Sequence, residues 1–371
     1  MQRKIHVFFF LHDLAPFGAQ RVILSLARHL DKEVFRLTIC SFWGDETLAP
    51  DFRACGAEVV FLRARRFLDL AAWARLLREL FARRPDLVKT SMPELSVPVR
   101  LLGVLVPWLR VVHSVENPIS SEPVYWRLLN RATFCLCRAV VFCSRGIMEE
   151  AAPAGCLLRR ASVIQNGIEP AAPAGDTAGP RAELGAGPGE KIIFCAGRLA
   201  RQKGQDTLIE ALALLAGRGR ALRLALAGDG EDLEALKALA GRLGVAGRVV
   251  FLGRRSDIQR LLEACDVYAS GSRWEGLSLA LCEAMLAGRP CAATAIPGHA
   301  DVLQNGVTGL AVPPEDPARL AAAIAAQLDE PAAAARMAAA ARDLVRADFT
   351  AEAMTRKYAA VYAAAAGKRA A

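Results

Sequence analysis

The 371-residue chain is poor in aromatic residues, at 6%, and carries only five histidines. Its ten cysteines are scattered without a C-x-x-C pair, and no His or Cys cluster has metal-ligand spacing. Most of these thiols sit in apolar runs such as Phe142-Cys143, Phe194-Cys195 and Leu281-Cys282, where free cysteine acts as a small hydrophobe. That usage fits a reducing compartment, so a cytoplasmic location is expected. A G-x-G-x-x-G fingerprint, a P-loop, a G-x-S-x-G elbow and a D-x-D pair are all missing. An NAD-dependent oxidoreductase is thereby disfavoured. Long hydrophobic runs are missing too: Val7–Leu11 is stopped by His12-Asp13, and Val97–Leu109 contains Pro98, Arg100 and Pro107. Both fall short of the ~20 residues of a membrane span or of a cleavable leader.

What is present is material for cores. Apolar residues make up 53% and charged residues 23%, which excludes disorder and suits about two domains. The net charge of +9 is uneven: residues 1–180 hold 23 basic against 17 acidic side chains, and residues 181–371 hold 24 against 21. A basic first half is compatible with a phosphate-bearing ligand or an anionic membrane surface.

Short apolar strands alternate with helical periodicity from end to end, which predicts a parallel α/β architecture. In the first half, Ile5–Leu11, Arg36–Ser41, Glu58–Leu62, Leu87–Thr90, Val111–His113, Ala139–Cys143 and Ser162–Ile164 read as strands. Ala19–Leu30 and Leu68–Ala82 read as helices. Residues 171–189, rich in Pro, Gly and Ala, read as a linker between domains at 1–170 and 190–349. The alternation then restarts with strands at Lys191–Ala196, Arg223–Ala227, Val249–Leu252, Val267–Ala269, Pro290–Ala293 and Leu310–Val312. Pro317–Val345 is helical with a break near Pro331, and a last helix spans about Ala351–Ala365. Two doubly wound domains would place a ligand in the cleft facing the carboxyl ends of their strands.

Chemistry concentrates at strand ends. In Ser270–Ala287, Glu275 lies in a loop before a helix expected to start near Leu277, and Glu283 lies about two turns in. The amides of Gly276, Leu277, Ser278 and Leu279 at that helix start suit a phosphate. Arg198 and Lys203 follow a strand in a glycine-containing loop and are placed to hold a diphosphate. Gly18 opens the first helix, and His113 is expected at the carboxyl end of its strand.

Together these segments resemble the family-4 glycosyltransferases, which have the GT-B fold. Glu275-Gly276-Leu277-Ser278-Leu279 through Glu283-Ala284-Met285 is similar to that family's E-x7-E motif. Gly197-Arg198-Leu199 with Lys203-Gly204 resembles its diphosphate loop, and Gly18-Ala19-Gln20-Arg21 its N-terminal glycine loop. Asn166-Gly167-Ile168 resembles the motif that closes the first domain. Pro297-Gly298-His299-Ala300-Asp301 departs from the pattern, standing where many members have two glycines and a later Glu.

The resemblance implies two Rossmann-like domains facing a central cleft, with acceptor bound mainly by the first and a nucleotide-diphosphate sugar, UDP- or GDP-linked, by the second. It implies retention of anomeric configuration, no cofactor and no metal, and a last helix crossing back to the first domain. Glu275, Arg198, Lys203 and His113 would be catalytic; Gly18, Gly276 to Leu279 and Glu283 would bind donor with Arg198 and Lys203. The acceptor would be a glycan or lipid-linked saccharide, with no role for nucleic acid. The alternative is a non-catalytic sugar-nucleotide or glycan-binding module of the same fold. Separately, Arg63, Arg65, Arg66, Trp73, Arg75, Arg78, Arg83 and Arg84 form a basic, partly apolar strip suited to an anionic membrane at the inner face.

Overall fold

The computed structural model describes residues 3–151, 160–170, 178–187 and 189–367. The chain forms two compact units, Met1–Glu169 with Thr350–Ala371, and Pro170–Phe349.

The first unit alternates β1 (Ile5–Leu11), α1 (Gly18–His29), β2 (Phe35–Ser41), α2 (Ala49–Ala54), β3 (Glu58–Phe61), α3 (Leu70–Arg83), β4 (Leu87–Thr90), α4 (Pro93–Leu105), β5 (Val111–Val115), α5 (Val124–Thr133), β6 (Ala139–Phe142), α6 (Arg145–Ala151) and β7 (Ala161–Val163). Its strands form a parallel sheet in the order β3-β2-β1-β4-β5-β6-β7. β1 is buried along its whole length, as a central parallel strand covered on both faces must be.

The second unit runs α7 (Ala178–Glu183), β8 (Lys191–Ala196), α8 (Gln205–Gly217), β9 (Leu222–Ala227), α9 (Leu233–Arg242), β10 (Val249–Gly253), α10 (Ile258–Ala264), β11 (Val267–Ser270), α11 (Leu279–Leu286), β12 (Cys291–Thr294), β13 (Leu310–Val312), α12 (Pro317–Asp329) and α13 (Pro331–Asp348). Its parallel sheet has the order β10-β9-β8-β11-β12-β13. In each sheet the chain winds outward from its first strand one way and then the other. The loops after β1 and β4, and after β8 and β11, therefore flank a topological switch point.

The last helix, α14 (Ala351–Ala365), belongs to the first unit. Thr350 caps it by accepting from the Ala353 amide, and Met354, Tyr358 and Tyr362 are buried. Tyr362 meets Phe9 of β1 edge-on at 6.1 Å. The crossing is tight: a Cβ on Gly167 would lie 2.3 Å from the Thr350 carbonyl oxygen, so only glycine fits there.

Several expected boundaries move, each for a local reason. Asp69 caps α3 by accepting from the Ala72 amide, so that helix starts at Leu70 instead of Leu68. β5 runs on to Val115 because Ser114 and Val115 pair with Val141 and Phe142, which puts His113 in mid-strand instead of at the strand's end. The apolar stretch with Pro98 is helix α4. Of the expected linker, 171–177 and 188 lie outside the described residues, while 178–183 form α7. There Arg181 donates to the Ala264 carbonyl at 2.8 Å and to Asp266 at 3.1 Å, and Leu184 is fully buried. The linker reading therefore does not extend to 189.

In the basic strip that runs from Arg63 through α3 to Arg84, some side chains are paired, while Arg63, Arg65, Arg66, Arg78 and Arg84 are exposed. Arg75 donates to the Leu62 carbonyl, Arg83 pairs with Glu58 and Glu79, and Arg63 pairs with Glu46. Trp73 turns inward onto Phe10, Phe42 and Phe67. Exposed apolar residues lie on α3, where Leu70 is 80% exposed, and on α4 and α5, two helices in contact, where Leu105 is 81% and Leu128 63% exposed. Among the described residues no helix is long and apolar enough to cross a membrane.

Candidate active site

In the second unit, the loops that leave β8 and β11 interlock through glycines. Gly204 has φ +59°, and a Cβ on it would sit 2.0 Å from the Gly271 carbonyl oxygen; one on Gly271 would sit 2.4 Å from the Gly204 oxygen. Gly228 presses as closely on Gly197. With side chains excluded, the two loops approach backbone to backbone, and Arg273 then staples them. Its guanidinium holds Asp206 at 2.7 and 3.0 Å, Glu315 at 2.7 Å and the Arg201 carbonyl at 2.8 Å.

This approach brings Lys203 and Glu275 together. Lys203 Nζ lies 2.6 Å from Glu275 Oε1, with side-chain exposures of 24% and 6%. Ser272 Oγ donates to the same oxygen at 2.9 Å, so Oε2 is left for a ligand. Arg198 is half exposed on the neighbouring turn, 4.0 Å from Glu231, while its own carbonyl is held by Gln205 at 2.9 Å. Gly276, Leu277 and Ser278 form a buried turn, and α11 starts at Leu279, two residues later than expected. Its N-cap, Ser278, makes no side-chain cap bond, which leaves first-turn amides for an anion. Glu283 lies one turn along α11, partly buried.

Across β12, Thr294 Oγ1 donates to the Ser272 carbonyl at 2.6 Å, and His299 is buried against the Thr294 carbonyl with Nδ1 at 2.7 Å. A carbonyl only accepts, so Nδ1 carries the proton, and Nε2 is an acceptor without a partner. Burial pushes the His299 pKa down, which keeps the ring neutral. A Cβ on Gly298 would lie 2.3 Å from the Glu275 carbonyl oxygen, so this loop is clamped against Glu275.

In the first unit, a cavity of about 270 Å³ opens at the carboxyl ends of β4 and β5, lined by Glu94, His113, Glu116, Glu122 and Trp126 among others. His113 is buried, with Nδ1 2.9 Å from Ser96 Oγ. Burial, reinforced by Arg100 and Lys89, drives its pKa well below the usual value. Lys89, also buried, bonds Ser114, which donates to Glu116 at 2.6 Å; Asn166 donates to Glu116 at 3.0 Å. Gly18 is the exposed first residue of α1.

Known families resemble this chain over both units. Residues 17–172 match the model for Glycosyltransferase Family 4, and residues 179–344 the model for glycosyl transferases group 1. A glycogen synthase of Mycobacterium tuberculosis is 33% identical over 293 residues, 76% of this chain and 69% of that protein. The chain belongs to glycosyltransferase family 4. An α-D-kanosaminyltransferase of Streptomyces kanamyceticus is 33% identical over 192 residues, and the match spans only half of each chain. A lipopolysaccharide core mannosyltransferase of Rhizobium meliloti is 31% identical over 54% of this chain and 60% of its own. Anabaena HepE, solved with UDP and glucose, superposes with a TM-score of 0.84 at 22% identity, over 97% of this chain and all of that one. A sucrose-phosphate synthase from Thermosynechococcus elongatus superposes at 0.81 and 19% identity, over 97% of this chain and 98% of its own. The fold is accordingly the GT-B arrangement of two Rossmann-like parallel-sheet units.

Within this family-4 member, the structure pairs Lys203 with Glu275 and sets Arg198, the α11 amides and Glu283 on the same unit. His113 and Gly18 lie on the other unit. The sequence reading missed Arg273 with Asp206, the cavity carboxylates Glu94, Glu116 and Glu122, and His299. His299 left a trace, as the departure from two glycines.

Proposed function

We propose that this chain transfers a sugar from a UDP- or GDP-linked donor to a hydroxyl of a glycan or lipid-linked saccharide, with retention of configuration and without a metal. The observation that carries the reading is the Lys203–Glu275 pair beside the unfilled amides of α11, at the switch point of the second unit. A diphosphate there competes with Glu275 for Lys203. When it takes the ammonium, Glu275 stays anchored to Ser272 and accepts from a sugar hydroxyl. Glu283 is the candidate partner for the ribose.

In the reaction, the bond from the anomeric carbon to the phosphate oxygen breaks, and its electron pair goes to the diphosphate. The acceptor oxygen forms the new bond, and its proton passes to the departing phosphate oxygen. Lys203, Arg198 and the α11 amides supply positive charge where negative charge develops. Removing one such contact should cost roughly 10²–10³ in rate, by analogy with oxyanion-hole donors. The cavity with His113 is, on this reading, the acceptor site. A lipid-linked acceptor would be met through the apolar α4–α5 surface at the inner face of the membrane. Leu105→Glu with Leu128→Glu should then abolish co-sedimentation with anionic vesicles, and unchanged binding refutes that part.

The test is thermal stabilisation by UDP, GDP, ADP, their sugar conjugates and NAD, on the native chain and on Arg198→Ala/Lys203→Ala. A ligand at a hundred times its dissociation constant adds about 2.7 kcal/mol. Stabilisation by one diphosphate series, lost in the double variant, together with transfer or slow donor hydrolysis, supports the proposal. Stabilisation without any turnover favours the binding module, and stabilisation by NAD overturns both.

A further inference from the structure

A space in the second unit lies away from the candidate active site. A cavity of about 390 Å³ lies at the opposite, amino end of the sheet, where Lys191 opens β8, Asp266 precedes β11 and Pro290 precedes β12. It exists because one face of α13 is built from small residues. Pro331, Ala334, Ala335, Ala338 and Ala339 line it at helical spacing, and none is long enough to fill the gap.

The polar lining is cationic. Lys191, Arg289 and Arg342 face one carboxylate, Asp266. That carboxylate is already shared by Lys191 at 2.9 Å, Arg181 at 3.1 Å and the Ile192 amide at 2.9 Å. Arg289 has only long contacts of 3.3–3.4 Å to the carbonyls of Ala287, Glu263 and Cys265. Arg342 reaches over Gly288, and its buried Nε has no hydrogen-bond partner.

A second, independent observation is Gln327, which is 3% exposed and lines the cavity. Its Nε2 donates to the Cys291 carbonyl at 2.8 Å, which fixes the amide orientation, and its Oε1 is left buried without a partner. Two guanidinium groups without carboxylate partners beside an unsatisfied acceptor suit an anion that carries a hydroxyl.

We propose that this cavity binds a small phosphate-bearing molecule, with phosphate on Arg289 and Arg342 and a hydroxyl donating to Gln327. The site is separate from the one that takes the donor. β8, β11 and β12 each run from this cavity to the candidate active site, and α11 runs from its phosphate-facing amides back to Gly288 and Arg289. The inference does not depend on the transferase reading.

The experiment uses Arg198→Ala/Lys203→Ala as background, so that the candidate donor site no longer competes. Orthophosphate and glucose 6-phosphate are compared with potassium chloride at matched ionic strength, by thermal unfolding and calorimetric titration. Orthophosphate should raise the unfolding midpoint, by roughly 5–10 °C at a hundredfold excess over its dissociation constant. Tighter binding of glucose 6-phosphate identifies an organic phosphate as the occupant, and equal binding identifies the free ion. Arg342→Gln should weaken binding about 10–100-fold. Ala335→Leu puts a larger side chain at the exposed rim of the cavity with little loss of helix propensity, so it should keep its own midpoint and lose the response. Absence of any phosphate response overturns the proposal, as does a response that survives both substitutions.

Discussion

The pairing of Lys203 with Glu275 makes a demanding prediction, because it ties stability to the candidate chemistry. Replacing Lys203 with Met leaves the Glu275 carboxylate, 6% exposed, with only the Ser272 hydroxyl on Oε1. Breaking a buried pair from one side costs about 3–5 kcal/mol. Lys203 is a quarter exposed, so water restores part of the loss, and the expected cost is about 2–3 kcal/mol. Glu275→Gln frees an ammonium that swings into solvent and should cost only about 1 kcal/mol. The double variant holds no buried charge and should be close to Glu275→Gln alone, which makes the coupling about 2–3 kcal/mol. Thermal unfolding of the four proteins in one buffer measures this cycle, with Lys203→Met lowering the midpoint by roughly 4–12 °C. Additive single effects, within about 0.5 kcal/mol, would refute the reasoning by showing that the ammonium does not reside on Glu275.

Three more outcomes follow from the geometry. Gly204→Ala should cost roughly 4 kcal/mol or more and abolish stabilisation by any nucleotide, because its Cβ collides with the Gly271 backbone. Gly219→Ala, at φ +77° with open space around it, should cost only about 1 kcal/mol, and equal melting of the two variants would contradict this. His6 is buried against Thr38, and burial lowers its pKa from 6.5 to about 4. It is neutral in the fold and takes a proton on unfolding, so the stability it supports is present above about pH 6.5 and lost as pH falls towards 4. The loss amounts to about 3 kcal/mol, and His6→Gln should flatten that part of a melting-midpoint profile. Tyr362→Ala should cost about 3–5 kcal/mol in melting experiments, by emptying the contact of α14 with Phe9.

The loops that carry the candidate site were legible before folding because their signals are local. Arg198, Lys203 and Glu275 each follow an apolar run short enough to be a strand, and a strand's carboxyl end is where doubly wound sheets expose loops. Arg273 and Asp206 were not legible, since a surface-type Arg and a helix-start Asp reveal nothing until the glycines at 204 and 271 bring their loops together. Glu94, Glu116 and Glu122 sit on separate segments of the first unit, and no spacing announces that they share one cavity. His113 is expected at the carboxyl end of its strand, because the apolar run stops there. The backbone nevertheless pairs with β6 through Val115, and Lys89 satisfies Ser114 inside.

By itself, the sequence determined the alternation of strands and helices, the break at Pro331, the last helix and the order of motifs that marks the family. These depend on side-chain periodicity, caps and backbone-restricting residues, all of which act over a few positions. Tertiary structure alone decided that Lys203 meets Glu275 across 72 positions and that an alanine face leaves a cationic cavity at the far end of the second sheet. Those outcomes rest on backbone approaches below 2.5 Å from a virtual Cβ and on which charges burial leaves unpaired. Both are properties of packed surfaces, and neither exists until distant segments are in contact.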